Sequence, residues 1–252
     1  MLRSATSVLG YHIDATDGVA GKAYDFYFDD ADWLIRYLVA SAGTWSSRRR
    51  VLIPPASLGQ PDWQKRSFPV KLSKEQVVNS PEATAAKPGC QRYQAASEGD
   101  FGWPTYWQDA TGSFAPVAAA VQQVQTVTEE SPDHPGAPAK PVADPHLRSL
   151  RTVCGFHICA TDGEIGHVED LIVDDENWAV HHVVLDTRNW LPGSKVLVEP
   201  ATFDRIRGDE ARAYVALDRA AVRRSPTYDP SIPINRDQEG RCCDYHGRPE
   251  WV

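Results

Sequence analysis

Two histidines hold corresponding places in a repeated stretch. His12 lies in Gly10-Tyr11-His12-Ile13-Asp14-Ala15-Thr16-Asp17-Gly18. His157 lies in Gly155-Phe156-His157-Ile158-Cys159-Ala160-Thr161-Asp162-Gly163. An imidazole titrates near neutral pH and ligates metals, so two brought together could handle protons or hold a ligand. No carboxylate or cysteine stands at metal-ligand spacing around both, so each reads first as a half-exposed strand histidine. Asp25, Asp29, Asp30 and Asp32 have a second set in Asp170, Asp174, Asp175 and Glu176. A calcium loop gathers its oxygens around a sharp turn, commonly at a glycine. These acids flank a strand end instead. Asp29-Asp30 reads as hairpin-turn chemistry, and Asp25 and Asp170 as acceptors for backbone donors in a nearby turn. Cys242, Cys243, Asp244 and His246 form a further cluster of metal-ligand types. Adjacent cysteines on an extended chain point in opposite directions, which suits chelation poorly. Cys154 and Cys159 read as small apolar wall residues. These patterns assign no catalytic residue, no metal ligand set and no cofactor.

The histidine stretch belongs to a longer repeat at an offset of 145, which runs without a gap from Leu2 to Trp107. Leu2-Arg3-Ser4 meets Leu147-Arg148-Ser149, Trp33 meets Trp178, and Trp45 meets Trp190. Val51-Leu52 meets Val196-Leu197, and Ser80-Pro81 meets Ser225-Pro226. So long a register implies internal duplication. It gives a first unit at 1–81 with an aromatic tail at 82–107. A second unit follows at 147–226, with its tail at 227–252. Residues 108–146 are a linker rich in Pro and Ala, with a short helix expected over Ala118–Val124.

Each unit reads as short strands. In the first they run over Val8–Ile13, Val19–Phe28, Leu34–Ala40, Arg49–Ile53 and Ser67–Leu72. Asp14-Ala15-Thr16-Asp17-Gly18 supplies the first turn, and Pro54-Pro55 stops the fourth strand. Ser73 with Gln76 predicts a capping box at a short helix, and Asp218 takes the capping place in the second unit. Strands at this spacing predict an all-β chain of two small antiparallel barrels, each with a short helix and an aromatic tail.

Gly10, Asp17, Gly18, Gly21, Asp25, Asp29 and Trp33, then Val51 to Pro55, form an ordered pattern. It returns on Gly155, Asp162, Gly163, Gly166, Asp170, Asp174 and Trp178, then Val196 to Pro200. The pattern resembles the PRC-barrel domain, the fold of the cytoplasmic part of the photosynthetic reaction-centre H subunit. The aromatic Gly-x-Pro tails resemble those of stand-alone bacterial tandem PRC-barrel proteins. The resemblance implies barrels used for protein–protein contact, with no shared catalytic residues.

The bulk numbers agree with such a role. The chain has 252 residues and a formal net charge of −8. That charge disfavours a nucleic-acid partner, which needs a concentrated basic face. The only basic run, Arg48-Arg49-Arg50, reads as a solvated strand start. No run of apolar residues is long enough to span a membrane or act as a signal core. None of the five cysteines matches a cysteine in the other repeat. Reduced thiols and a cytoplasmic setting are therefore expected. The leading expectation is a non-enzymatic module for protein–protein interaction or assembly, with an unidentified protein or a second copy of the chain, as a homodimer, for its partner. Trp103, Tyr106, Trp107 and Trp251 in the tails are its candidate contacts. Trp33, Trp45, Trp178 and Trp190 read as packing residues. The alternative is a small-molecule or metal-binding protein whose site lies between the barrels, with His12 and His157 converging on it.

Overall fold

The computed structural model describes residues 1–44, 47–83, 146–187 and 195–230. They form an all-β molecule of two sheets with a few short helices. The chain opens with β1 (Leu2–Ser4), a 3-10 turn at Thr6–Val8, and β2 (His12–Ala15). A meander of β3 (Gly18–Asp29), β4 (Leu34–Thr44) and β5 (Ser47–Ile53) follows. Then come β6 (Ser67–Pro69) and α1 (Lys74–Val78). The second half begins with β7 (Leu147–Ser149) and α2 (Leu150–Val153). It continues through β8 (His157–Ala160), β9 (Gly163–Asp174), β10 (Val180–Asp186) and β11 (Lys195–Val198). It closes with β12 (Phe203–Arg207), β13 (Arg212–Val215) and α3 (Arg219–Arg224). At the place of β12, the first half makes isolated bridges, Leu58 to Val70 and Asp62 to Ser67.

Local chemistry explains these boundaries. Ile13 and Ala15 are buried while His12 is exposed, the period of two that a strand with one covered face requires. The capping box on Ser73 and Gln76 is present, and Asp218 accepts the Ala221 N–H at 2.6 Å. The Asp-Gly turns do more than reverse the chain. Asp17 accepts the Lys74 N–H at 2.7 Å and Asp162 the Arg219 N–H at 2.8 Å. Each turn thereby satisfies a donor at the start of the helix that follows its own sheet.

The first sheet runs β5-β4-β3-β2-β6 and the second β11-β10-β9-β8-β13-β12. Most neighbours are antiparallel, but β2 pairs with β6, and β8 with β13, in parallel. This departs from the wholly antiparallel expectation. The chain leaves each meander and returns beside its opening strand in the same direction. Each hydrogen-bonded path is open at its two edges.

The largest departure is at the ends of the repeat. The aligned tripeptides Leu2-Arg3-Ser4 and Leu147-Arg148-Ser149 carry no expected strand, yet both are strands and both are exchanged. β1 lies antiparallel on β9, with Leu2 opposite Asp174 and Ser4 opposite Ile172. β7 lies antiparallel on β3, with Leu147 opposite Asp29 and Ser149 opposite Tyr27. Each half thus finishes the sheet of the other.

One hydrophobic core runs through both halves, from Ile13, Phe26 and Phe68 to Ile158, Leu171 and Val215. Trp33 and Trp178 cross between them. Trp178 stacks on Phe26 and Phe68, with ring centroids 6.0 and 5.7 Å apart. Trp33 stacks on Phe28 at 5.7 Å and tilts against Phe203 at 5.2 Å. Their backbones pair as well: Ile35 N–H donates to the Trp178 carbonyl at 2.9 Å, and Val180 N–H to that of Trp33 at 2.8 Å. Both tryptophans hold left-handed backbone, with φ of 56° and 60°. That conformation costs a side-chain-bearing residue about 1–2 kcal/mol. It lets each tryptophan N–H close a turn onto the carbonyl four residues earlier, Asp29 or Asp174. The ring then projects into the opposite half. Outside this core, Leu147 joins Val39 and Leu52, and Leu2 packs on Ile172, Val184 and Leu197.

Candidate functional site

Among the described residues, polar side chains gather at the seam between the halves and along a groove on the first sheet. At the seam, Asp25 is buried on β3 where the β3–β4 register shifts. Its carboxylate accepts from the Ser149 hydroxyl at 2.5 Å, the Arg151 N–H at 3.0 Å and the Phe26 N–H at 2.8 Å. Asp170 does the same work in reverse. It accepts from the Ser4 hydroxyl, and from the Thr6 N–H and hydroxyl at 3.0 and 2.7 Å. Burial pushes both carboxyls above the ordinary aspartate range, and these donors hold them back. The turn each aspartate serves is in the other half, which the sequence reading of a nearby turn did not anticipate.

A second pair of acids flanks the seam. Asp30 accepts from Arg148 Nε at 2.6 Å and lies 2.8 Å from His146 Nδ1. Asp175 accepts from Arg3 Nε and, at 2.6 Å, from the Met1 ammonium. Arg3 and Arg148 are 145 residues apart, as are Asp30 and Asp175, so the two clusters are one arrangement used twice. Asp29 has the hairpin role expected of it, accepting from the Ala31 N–H, and Asp174 accepts in the same way from the Glu176 N–H. Asp29-Asp30-His146 and Asp174-Asp175-Glu176 each place ligand-type atoms within 4.8 Å of one another. In both, an arginine holds one of the carboxylates.

The groove lies along the N-terminal part of β3 and encloses about 640 Å³. His12, Val19, Lys22, Tyr24, Ser41 and Arg151 line it, together with small residues of β3 and β4. Arg151 comes from α2 of the other half. Its guanidinium sits 4.6 Å from the centroid of the Tyr24 ring and donates to the Tyr24 carbonyl at 3.3 Å. Arg50 of β5 also lies over that ring, at 3.9 Å. Gly21 brings β3 close to β4 here: a Cβ on it would lie 2.3 Å from the Ser41 carbonyl oxygen. The matching face of the second half has different chemistry. His167, Glu169 and Asp186 replace Lys22, Tyr24 and Ser41, and Lys195 replaces Arg50. There Lys195 Nζ is 2.6 Å from Glu169, and His167 is 3.7 Å from Asp186. Those three acid and imidazole groups also place ligand-type atoms within 4.8 Å of one another.

The two histidines singled out by the sequence lie on different sheets. His12 is exposed on β2 and borders the groove, while His157 is exposed on β8, between His167 and Arg212. Cys159 is half-buried, and so is Cys154, which packs against the core. Burial, with Asp170, Asp25 and Glu169 nearby, pushes the Cys154 thiol up to about 12, so it is no nucleophile at neutral pH. Trp103, Tyr106, Trp107 and Trp251 lie outside the described residues, as do Trp45, Trp190, Cys242, Cys243, Asp244, His246 and the Ala118–Val124 segment. Among the described residues, no helix is long and apolar enough to cross a membrane.

No family model and no curated protein matches this chain. Sequence reasoning named Asp25, Asp170 and His12 but missed Arg3, Arg148 and Arg151. The recurrence of Leu-Arg-Ser at both unit starts was the available signal for the first two. Arg151 aligns with Thr6, so the repeat carried none for it.

Proposed function

We propose that the chain is a non-enzymatic assembly module: two PRC-barrel-like copies of one unit, joined as a rigid body that works by protein contact in the cytoplasm. The observation that carries this reading is the reciprocal exchange of β1 and β7. Four buried or half-buried aspartates, Asp25, Asp30, Asp170 and Asp175, are engaged in holding the halves together. Such an arrangement fixes geometry rather than turning over a substrate.

The matching order of elements at an offset of 145 supports duplication. The barrel reading has support in chain reach. β11 and β12 are opposite edges of a six-strand path, yet only Glu199–Thr202 joins them. A flat path of that width spans about 24 Å, at roughly 4.8 Å per strand. The connection reaches at most about 18 Å when extended, and it contains a 3-10 turn. A curled sheet brings those edges within reach of so short a connection, which supports the barrel reading.

The aromatic tails remain the proposed contact surface, on a protein partner or a second copy of the chain. Affinity capture from cytoplasm, comparing the full chain with one carrying Trp103, Tyr106, Trp107 and Trp251 all changed to Ala, tests this. A specific partner lost in the variant supports the tails as the surface. A partner kept by the variant moves the surface to the sheets. Capture of no specific partner overturns the assembly role.

A further inference from the structure

We infer that the groove on the first sheet is a binding site for a small anion bearing phosphate or carboxylate groups. This goes beyond the assembly role and does not depend on it. The groove is lined by His12, Lys22 and Arg151, and Arg50 closes over Tyr24 at its edge. No aspartate or glutamate is among its lining residues. Among the described residues, no carboxylate lies within ion-pair distance of Lys22, Arg50 or Arg151. Neighbouring cations on these sheets are paired: Arg49 with Glu82 at 2.8 Å, Arg36 with Asp29 at 3.2 Å, and Lys195 with Glu169 at 2.6 Å. Lys22 and Arg151 line the concavity and Arg50 lies over Tyr24 beside it, so three cations repel one another there, with Arg151 offset in part by the buried Asp25, in a chain whose net charge is −8. An anion in the groove removes that repulsion.

The chemistry of the cations narrows the ligand. Guanidinium groups present planar forks that match the oxygens of phosphate and carboxylate, and Lys22 adds a point charge. Tyr24 holds the forks in place, since both Arg50 and Arg151 lie against its ring. The comparison within the molecule points the same way. At the matching positions the second half carries Glu169 and Asp186, and Thr6 stands where Arg151 would be. An anion site is therefore built on one half only, and it is completed by an arginine that reaches it through the exchanged segment.

The test is titration of the full chain with pyrophosphate and, separately, with citrate, at low ionic strength and by calorimetry. Saturable binding is expected. Lys22→Gln and Arg151→Gln should each weaken it by at least about tenfold, the loss of one charge-assisted hydrogen bond. Arg205→Gln, which removes an exposed guanidinium 4.4 Å over the Tyr214 ring, should leave it unchanged. Tighter binding of pyrophosphate assigns a phosphate ligand, and tighter binding of citrate a polycarboxylate. The proposal fails if neither probe saturates. It fails equally if binding survives both groove substitutions in variants that melt at the wild-type temperature.

Discussion

Asp25 and Asp170 show what a single buried carboxylate does in this molecule. Each receives backbone and hydroxyl donors from the other half, so its loss orphans groups on both sides of the seam. Asp25→Ala should cost about 3 kcal/mol, because the buried Phe26 N–H and the part-buried Arg151 N–H lose their acceptor. Asp25→Asn keeps an acceptor oxygen and should cost much less, as measured by urea unfolding. The same residues set a pH dependence. Their folded-state pKa values are raised, so the folded chain holds these protons more tightly than the unfolded one. Their contribution to stability is therefore fully present below the unfolded value of about 3.8 and is lost as pH rises through the folded values. Plotted against pH from about 3.8 upward, the stability of the wild type minus that of the Asp25→Asn, Asp170→Asn variant should fall. A flat or rising difference would show that neither carboxyl holds its proton.

At the scale of elements, the hairpin carrying each tryptophan is the unit that reaches across. Trp178→Ala removes a ring stacked on Phe26 and Phe68 and should destabilise the chain by about 3–5 kcal/mol. Its melting should stay a single transition, with both halves unfolding together. Two separate transitions would mean that the shared core does not couple them. Much of this scale was legible beforehand. The strands β3 to β5, the capping box on Ser73 and Gln76, and the Asp29-Asp30 turn follow from alternation and turn chemistry that act within a few residues. The first strand was expected over Val8–Ile13, but Thr6–Val8 is a 3-10 turn and the strand runs over His12–Ala15, so Asp14 and Ala15 belong to it and not to the turn. β1 and β7 were not legible, because three residues carry no period and their pairing is decided by an edge more than a hundred positions away. Nor was the role of Trp33 and Trp178 beyond packing. Their left-handed backbone is set by the turn, and the sequence does not say which half the ring enters. Of the groove, His12 was named, but Lys22, Tyr24 and Arg151 meet only through folding.

For the whole molecule, the exchange makes the covalent link between halves redundant for their association. A protease site placed between residues 84 and 145 should, once cut, leave two fragments that co-elute at the size of the intact chain. They should separate only under denaturant. Fragments that part in native buffer would show that the seam is too weak to act without the tether. The net charge of the two units favours their meeting: residues 2–81 carry 10 basic and 8 acidic side chains, and residues 147–226 carry 10 and 13. That small difference affects approach more than the final hold, which rests on the shared core and the exchanged strands.

The exchange also sets an order of assembly during synthesis. Ser4 is made 166 residues before its carboxylate partner Asp170. Until then the edge of β3 awaits β7, and β1 has nothing to pair with. β1, made before the first sheet, is thus among the last strands to settle, and the nascent first half presents an open strand edge while it waits. A chaperone that shields strand edges would find its substrate in this interval, before the second half emerges.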